Sequence, residues 1–391
     1  MAGRILFYVQ HLLGIGHLKR AAAIARATAA TGTQITVAVG GHMAPGVEFG
    51  NAKIFRLPAV SAADDSFKLL IDENGQPIDD IWRNRRRNAL LACFEETQPD
   101  VIAVELYPFG RRQFRFELLP LLELATASAR PPKIVCSVRD ILVSKARPER
   151  NREIVDIINR YFDAVLVHGD PELITFEHTF PAAREIEDKI RYTGYVVDGA
   201  HADFKRLRET GEVLVSAGGG SVGEPLLRAA LAARAMSSAG HMPWRMLSGP
   251  NLPDGVFEDL KNTAPAGVVI ERHRTDFPAL LANCRLSISQ AGYNTVMDIL
   301  MARPRAIVVP FAGGKENEQT IRAKLLAERG YLKMVDPEKI SPEILAAAID
   351  EALAGSAGEV AGIDFGGAAG TAAALKGFCT ESMEHGPNKP T

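Results

Sequence analysis

A histidine lies in a glycine-containing segment shortly after the first apolar run of the sequence, Ile5–Val9. The segment reads Gly14-Ile15-Gly16-His17 and precedes an alanine-rich helical pattern. Glycines allow a tight turn, so that N–H groups of the following helix can face a ligand. His17 could act as a general base because the intrinsic pKa of histidine, about 6.5, suits neutral pH. Its structural alternative is to cap the helix or to satisfy a backbone carbonyl.

Three glycines and a serine, Gly218-Gly219-Gly220-Ser221, follow a second apolar run and open another helical pattern. Converging backbone amides, the Ser221 hydroxyl and the positive end of the helix dipole would favour an anion here. The turn lacks the Gly-Lys-Ser/Thr ending of a nucleoside-triphosphate loop. It therefore predicts a diphosphate site, with a purely structural tight turn as the alternative.

A third turn of small residues runs from Gln290 through Gly292 to Asn294, again between an apolar run and a helical pattern. Asp298 lies one turn into that helix, where a carboxylate suits the helix dipole and can reach a ribose diol. An ordinary first-turn acid is the alternative role.

Two carboxylates, Glu105 and Asp140, stand at or just past the ends of apparent strands. Ligands of parallel α/β folds bind at that end of the strands, so each is an alternative candidate for the general base. Either could instead be a helix N-cap or the partner of an arginine, and these structural roles are the favoured interpretation.

Arginines cluster in two places in the first half of the sequence. One group opens a helical pattern and comprises Arg83, Arg85, Arg86 and Arg87. In the second, Arg111 and Arg112 alternate with aromatic residues, and Arg139 occupies an equivalent loop. Such cations could bind an anionic ligand, a phospholipid surface or a lipid-linked phosphate. For the first group, a solvated face paired with Asp79, Asp80 and Glu117 is at least as acceptable. The second group is preferred as a binding site because it lies in a loop at the carboxyl end of a strand.

The bulk composition indicates an ordinary globular protein of two domains. Its 391 residues are about twice the size of one compact domain, and 47% are hydrophobic. The 45 Lys and Arg nearly balance the 47 Asp and Glu, so no overall field would hold nucleic acid. The four cysteines are scattered without metal-ligand spacing, which favours reduced thiols in a cytoplasmic protein without metal or cofactor. No apolar run suits a signal peptide or a membrane span, so any association with the inner membrane surface would be peripheral.

Short apolar runs alternate with helical patterns in both halves of the chain, which is typical of parallel α/β architecture. Each half opens with a strand and a glycine-rich turn, which favours two Rossmann-like domains facing across a cleft over a single barrel. We predict an N-terminal domain over residues 1–200 and a C-terminal domain over residues 201–370. A terminal helix with a frayed tail is expected over residues 371–391.

Several of these segments together resemble a known family. The segments Ser289-Gln290-Ala291-Gly292 through Asp298, Val309-Pro310-Phe311 and Glu318-Gln319 are similar, in order and spacing, to the C-terminal signature of family 28 glycosyltransferases with the GT-B fold. The Gly219-Gly220-Ser221 turn, residues 193–196 and the N-terminal Gly-x-Gly-His loop also resemble that family. The resemblance is specific over about residues 190–330, and the whole chain is similar to bacterial predicted glycosyltransferases without an assigned acceptor.

The resemblance implies an inverting, metal-independent transfer of a sugar from a nucleoside diphosphate donor, in the first instance a UDP-sugar. Asp298 would bind the donor ribose, Ser221 and the turn amides the diphosphate, and Glu318 and Gln319 the sugar hydroxyls. The C-terminal domain would bind the donor and the N-terminal domain the acceptor, and His17 would face the reacting centre from the N-terminal domain. The remaining donor contacts would be Gly218, Gln290, Gly292 and Asn294, and the acceptor contacts Gly14, Gly16, Arg20, Arg111, Arg112 and Arg139. Asp298 and Glu318 replace the Glu and Gln of the peptidoglycan N-acetylglucosaminyltransferase of this family, which leaves the sugar and the base open.

Three other functions stay open on the sequence. The segment from Gly14 to Arg20 also resembles the Gly-x-Gly-His-x-x-Arg loop of the pseudaminate-pathway nucleotide-sugar hydrolase, in which the histidine activates water. A UDP-sugar 2-epimerase shares the fold class but has a motif set that is not recognised here. A non-catalytic nucleotide-sugar-binding protein would keep the Gly218–Ser221 site without turnover. The fuller N-terminal domain favours a transferase with a larger acceptor over the hydrolase.

Overall fold

The computed structural model of the chain describes residues 2–12, 16–44, 46–63, 69–142, 148–197, 211–218, 222–311, 317–358 and 360–384. The chain divides into two compact units. Unit 1 comprises Met1–Asp198 and Ile363–Thr391, and unit 2 comprises Gly199–Gly362. Four of the predicted site residues lie outside the described residues: Gly14, Gly219, Gly220 and Ser221.

Unit 1 contains a parallel sheet and a small antiparallel pair of strands. The strands are β1 Arg4–Val9, β2 Gln34–Val39, β3 Lys53–Arg56, β4 Val60–Ala62, β5 Leu70–Asp72, β6 Val101–Glu105, β7 Lys133–Arg139, β8 Ala164–His168 and β9 Ile190–Tyr192. Among the described residues the parallel sheet has seven strands in the order β3-β2-β1-β6-β7-β8-β9, and β4 pairs with β5. The strand order reverses between β1 and β6, and ligands of open α/β sheets bind at such a point.

Helices cover the described sheet of unit 1 on both faces. They are α1 Gly16–Ala30, α2 Asp80–Thr97, α3 Arg115–Ala127 and α4 Pro148–Tyr161. Along β1, Leu6 and Tyr8 join the core that includes residues of α2, α3 and α4, whereas Ile5 and Phe7 join the core that includes α1. Successive side chains of a strand point to opposite faces, so a strand covered on both sides is apolar throughout.

Unit 2 repeats this design with shorter strands. These are β10 Val213–Ser216, β11 Trp244–Leu247, β12 Val268–Glu271, β13 Leu286–Ser289, β14 Ala306–Val308 and β15 Lys333–Met334. The helices are α5 Glu224–Arg234, α6 Asp254–Thr263, α7 Phe277–Asn283, α8 Tyr293–Ala302, α9 Glu318–Glu328 and α10 Pro342–Ala354. Within the described part of the chain the sheet order is β12-β11-β10-β13-β14-β15, and every pair is parallel.

The last helix, α11 Gly367–Glu384, returns to unit 1 and packs against α1. It begins four residues before the predicted start at Thr371, inside a glycine-rich stretch that the sequence pattern places outside the helix. The physical reason is close packing, since a Cβ at Gly367 would collide with the carbonyl oxygen of Gly194. Glycine is needed here for the approach of two backbones rather than for a chain break.

Two parallel-sheet α/β domains are thus present, and the predicted fold class is confirmed. None of the helices in the described ranges is long and apolar enough to cross a membrane.

Candidate active site

His17 and Glu105 lie together at the carboxyl edge of the sheet of unit 1. His17 is in the first turn of α1, directly after the loop that follows β1, and Glu105 ends β6, the neighbour of β1. The His17 Nδ1 atom lies 2.6 Å from Glu105 Oε1. Arg20, one turn further along α1, also donates to Glu105 Oε1. Two of the three residues that the sequence offers as the general base, His17 and Glu105, therefore form one hydrogen-bonded pair.

The surroundings of this pair favour a neutral imidazole beside an ionised carboxylate. Burial lowers the pKa of His17 to about 4, although the Glu105 carboxylate acts in the opposite direction. Burial alone would raise the pKa of Glu105, but His17 and Arg20 hold it well below the ordinary value. A carboxylate only accepts hydrogen bonds, so the contact with Glu105 favours the tautomer in which Nδ1 of His17 carries the proton and Nε2 the lone pair, although Nη2 of Arg20, a donor, also lies 3.0 Å from Nδ1. This tautomer is the one that a general base requires.

Arg111 completes the charged surroundings of this pair, whereas Arg112 does not. The Arg111 Nε atom donates to the carbonyl oxygen of Gln10, 3.0 Å away, and the Arg111 backbone is left-handed with φ 58°. Burial lowers the pKa of Arg111, and the positive charges of Arg139 and Arg20 lower it further. The negative charge of Glu105 acts in the opposite direction and raises the pKa of Arg111. Three predicted acceptor-binding arginines are therefore within electrostatic range of each other. Arg112 is exposed, and its Nη2 lies 3.6 Å from Glu153.

Asp140 is buried and held by hydrogen bonds within unit 1. Its Oδ1 accepts from the Ile141 backbone N–H at 2.9 Å, and its Oδ2 accepts from the Tyr195 hydroxyl at 2.9 Å. Tyr195 belongs to the segment that follows β9, so Asp140 anchors that segment to the end of β7. These contacts give Asp140 a structural role in which a tyrosine hydroxyl is one of its partners.

His168 ends β8 and is a buried histidine that the sequence reasoning missed. Its Nε2 lies 2.7 Å from Ser137 Oγ, and its Nδ1 lies 3.0 Å from Thr193 Oγ1. Burial lowers the pKa of His168 to about 3. The available sequence signal was a polar residue at the end of the apolar run 164–167, the same signal that singled out Glu105.

The first arginine group does not form a single basic patch. Arg86 is fully buried and its Nε donates to Glu117 Oε2, 2.8 Å away, while Glu117 Oε1 accepts from the Tyr8 hydroxyl. Arg83 pairs with Asp80 and Arg85 pairs with Glu73 on the surface. The proposed partner Glu117 is thus correct for Arg86, but that pair lies in the core and not on a solvated face.

In unit 2 the described residues predicted to bind the donor, Gly218 of the glycine turn and Gln290 of the third turn, follow neighbouring strands. Gly218 is left-handed with φ 70°, and its N–H donates to Ser216 Oγ at 3.4 Å. The Gln290 backbone N–H donates to the Ser216 carbonyl at 3.1 Å, because β10 and β13 are neighbours. The Gln290 side chain donates to the Val222 carbonyl at 3.3 Å. Gln290 therefore bridges the two ends of the glycine turn.

Helix α8, which follows the third turn, carries three further predicted residues. Gly292 is the N-cap of α8, Asn294 is in its first turn and Asp298 is one turn later, and all three are half-buried. A helix N-terminus directs its N–H groups and its positive dipole end outward, which suits phosphate or sugar oxygens.

Glu318 and Gln319 open α9, and both take part in contacts within unit 2. Glu318 Oε1 lies 2.6 Å from Nη1 of the buried Arg322, and Gln319 Oε1 accepts from the Phe311 backbone N–H at 3.0 Å. Arg322 is a further residue that the sequence reasoning missed. Its spacing of four residues after Glu318 on a predicted helix was the signal that could have found it.

No group of three or more His, Cys, Asp or Glu side chains suited to a metal ion occurs within the described ranges. The four cysteines are buried thiols, and burial raises the pKa of Cys93 to about 11. Thiolate chemistry at Cys93 is therefore disfavoured near neutral pH.

Residues 214–360 match the model of the glycosyltransferase family 28 C-terminal domain. The UDP-N-acetylglucosamine–N-acetylmuramyl-(pentapeptide) pyrophosphoryl-undecaprenol N-acetylglucosamine transferase of Prochlorococcus marinus (strain MIT 9312) is 32% identical over 74 residues, which are 19% of this chain and 20% of that protein. The protein of the same name from Anaeromyxobacter sp. (strain K) is 31% identical over 78 residues, 20% of each chain. The chain thus spans about a fifth of the length of the curated relatives it matches.

Solved glycosyltransferases share the fold over nearly the whole chain. The calicheamicin glycosyltransferase CalG4 superposes with a TM-score of 0.60 at 15% identity, over 98% of this chain and 95% of that chain. MurG from Acinetobacter baumannii gives a TM-score of 0.55 at 15% identity, with the same coverage of 98% and 95%. The spinosyn rhamnosyltransferase SpnG complexed with thymidine diphosphate gives 0.58 at 17% identity, over 97% and 96%. The resemblance stated from the motifs is confirmed: the chain has the fold of GT-B glycosyltransferases, and its residues 214–360 match the family 28 C-terminal domain.

Proposed function

We propose that the protein is an inverting, metal-independent glycosyltransferase that moves a sugar from a nucleoside diphosphate, a UDP-sugar in the first instance, to an acceptor hydroxyl. The observation that carries the proposal is the His17–Glu105 pair in a chain with a family 28 C-terminal domain. In this proposal unit 2 holds the donor and unit 1 supplies the base and binds the acceptor.

The reaction needs one proton transfer and one displacement. His17 Nε2 takes the proton of the acceptor hydroxyl while the acceptor oxygen forms a bond to the anomeric carbon. The bond from that carbon to the diphosphate oxygen breaks from the opposite face, so the configuration inverts, and its electron pair leaves with the nucleoside diphosphate. The amides of the Gly218–Ser221 turn are proposed to stabilise the charge on that diphosphate, since hydrogen-bond donors that are oriented before a reaction begins need no reorganisation. Glu105 stabilises the imidazolium that forms on His17.

The acceptor in this proposal is anionic or lipid-linked. Arg20 and Arg111 act on Glu105, and Arg139 acts on Arg111, so three arginines gather at this edge of unit 1 and are proposed to favour an anion there. The curated relatives act on a pyrophosphoryl-undecaprenol acceptor, as their name states. A lipid-linked acceptor would bring the protein to the inner membrane surface from the cytoplasmic side.

Incubation with nucleotide sugars tests the function directly. UDP, GDP, ADP, CDP and dTDP are first screened by thermal shift, because a ligand that binds the native state raises its melting temperature. Nucleoside diphosphate release is then measured from the sugar nucleotide of the best base, with and without candidate acceptors. Release that requires an acceptor supports the transferase. Release without an acceptor supports the hydrolase, which the same histidine could serve by activating water, and binding without release supports a non-catalytic protein.

Arg111→Ala should raise the KM for the acceptor by about tenfold or more, since a hydrogen bond to a charged group contributes about 1.5–3 kcal/mol. Arg112→Ala is the matched control and should change that KM by less than about twofold, because an exposed ion pair such as Arg112–Glu153 contributes little. Steady-state kinetics with any acceptor that passes the release assay measure both values. An unchanged KM in Arg111→Ala would remove this residue from the acceptor site.

The low pKa of His17 gives a distinctive pH profile. A base works in its deprotonated form, so kcat/KM should stay near its plateau from pH 7 down to pH 5.5 and fall only as the pH approaches about 4. With an unshifted histidine, kcat/KM at pH 5.5 would already be about a tenth of the plateau. Circular dichroism at each pH separates loss of activity from acid unfolding. An acid limb centred near pH 6.5 would contradict the buried, neutral imidazole.

A further inference from the structure

A buried guanidinium connects the two helices of unit 2 that carry the predicted donor-sugar contacts. The Arg322 side chain is 1% exposed and its Nη1 lies 2.6 Å from Glu318 Oε1. Its guanidinium carbon lies 5.1 Å from the centre of the Tyr293 ring. Removing a guanidinium from water is costly unless a carboxylate and an aromatic face replace the lost hydration. Arg322 has both.

The two residues that Arg322 contacts are the first residues of two helices. Tyr293 begins α8 and Glu318 begins α9. These helices follow the neighbouring strands β13 and β14 at the carboxyl edge of the sheet. A single side chain therefore contacts two helix N-termini at the edge where ligands of such sheets bind.

The residues beside these contacts are those assigned to the donor. Gly292 and Asn294 flank Tyr293, and Gln319 follows Glu318. Gln319 is itself fixed through its hydrogen bond from the Phe311 backbone, just past β14. A change in the position of Arg322 would move Glu318 relative to α8, whereas the glycine turn at Gly218 belongs to a different strand, β10.

We propose that Arg322 is a positioning residue that holds Glu318 in place for the sugar of the donor and has little influence on the nucleoside diphosphate. The inference rests on the proposed function, in which Glu318 contacts the sugar hydroxyls. Arginine is required rather than lysine, because a planar guanidinium can stack on Tyr293 and donate to a carboxylate at the same time. Lysine can keep the charge pair but not the stacking.

Binding of UDP and of UDP-N-acetylglucosamine, measured by isothermal titration calorimetry, tests the assignment. Arg322→Met should weaken binding of the sugar nucleotide by about tenfold or more, because a charged hydrogen bond to the sugar is misplaced. Binding of UDP should change by less than about twofold, and Arg322→Lys should lie between Arg322→Met and the wild type. The matched control is Arg228→Met, which removes an exposed arginine that also pairs with a first-turn glutamate, Glu224, four residues earlier in α5. This control should bind both ligands as the wild type does.

A second variant keeps the test decisive if Arg322→Met does not fold because the nearly buried Glu318 has lost the counter-charge of Arg322. The double variant Arg322→Met, Glu318→Gln removes both charges and should fold, yet it should still bind the sugar nucleotide weakly. Equal loss of UDP and sugar-nucleotide binding in a folded variant would show a general structural role and overturn the assignment. Unchanged sugar-nucleotide binding would overturn it as well. If the wild-type protein binds neither ligand, the proposed donor is wrong. The proposed role of Arg322 at that donor is then contradicted as well.

Discussion

His17→Ala should lower turnover roughly 100-fold or more while leaving the fold intact, because general-base catalysis contributes factors of this size. The loss should appear in kcat, since the imidazole receives a proton only as the reaction proceeds. Binding of the donor to unit 2 should be unchanged. Steady-state kinetics in the release assay measure turnover, and thermal shift with the nucleoside diphosphate measures donor binding.

His178→Ala is the control for this variant. His178 is an exposed histidine of the same unit, so its removal should leave turnover unchanged. Glu105→Gln offers a second arm, because the amide can keep a hydrogen bond with His17 Nδ1 but cannot stabilise the imidazolium. Near-normal turnover in a folded His17→Ala protein would exclude His17 as the base. Glu105 would then have to act alone, and normal turnover in Glu105→Gln would exclude that too.

Arg86→Met should produce the largest loss of stability in unit 1, about 3–5 kcal/mol, because it leaves a buried carboxylate without its counter-charge. The Arg86 guanidinium also donates to the carbonyl oxygens of Gly40, at 2.7 Å, and Pro58, at 2.6 Å. Methionine fills much of the same volume, so the loss reports the missing hydrogen bonds and charge rather than a cavity.

Urea unfolding followed by tryptophan fluorescence measures this loss for unit 1 alone. The chain has two tryptophans, Trp82 in unit 1 and Trp244 in unit 2. In a Trp244→Phe background, Trp82 is the remaining tryptophan, and its ring lies 5.5 Å from the Arg86 guanidinium. Arg85→Met is the control and should cost less than about 1 kcal/mol, because its pair with Glu73 is on the surface. Equal effects of the two variants would mean that the buried pair contributes no more than an exposed one.

Local patterns in the sequence were sufficient to predict the fold class and the positions of strands. Alternating apolar runs and helical periodicity predicted parallel α/β units, and the strands around Ile5–Val9 and Val213–Ser216 lie where those runs place them. Gly218 and Gly292 predicted turns at the ends of strands. Gly218 has the left-handed backbone, φ 70°, that favours glycine, whereas Gly292 has an extended backbone, φ −63°, that any residue can adopt. The start of α11 escaped prediction because close packing against Gly194 is a tertiary property.

The sequence by itself determined which residues could carry the chemistry: His17 beside two glycines, Glu105 at the end of an apolar run, and the segments shared with family 28 domains. Only the tertiary structure decided how they pair. His17 meets Glu105, 88 positions away, because β1 and β6 are adjacent strands, and Arg86 meets Glu117 because α2 packs against α3. Turn chemistry and hydrophobic periodicity act over a few residues, whereas the pairing of buried charges depends on contacts between elements far apart in the chain. For this reason the sequence offered Glu105 as an alternative base, whereas the structure pairs it with His17. For the same reason Arg322 was identified only from its contacts with Tyr293 of α8 and Glu318 of α9.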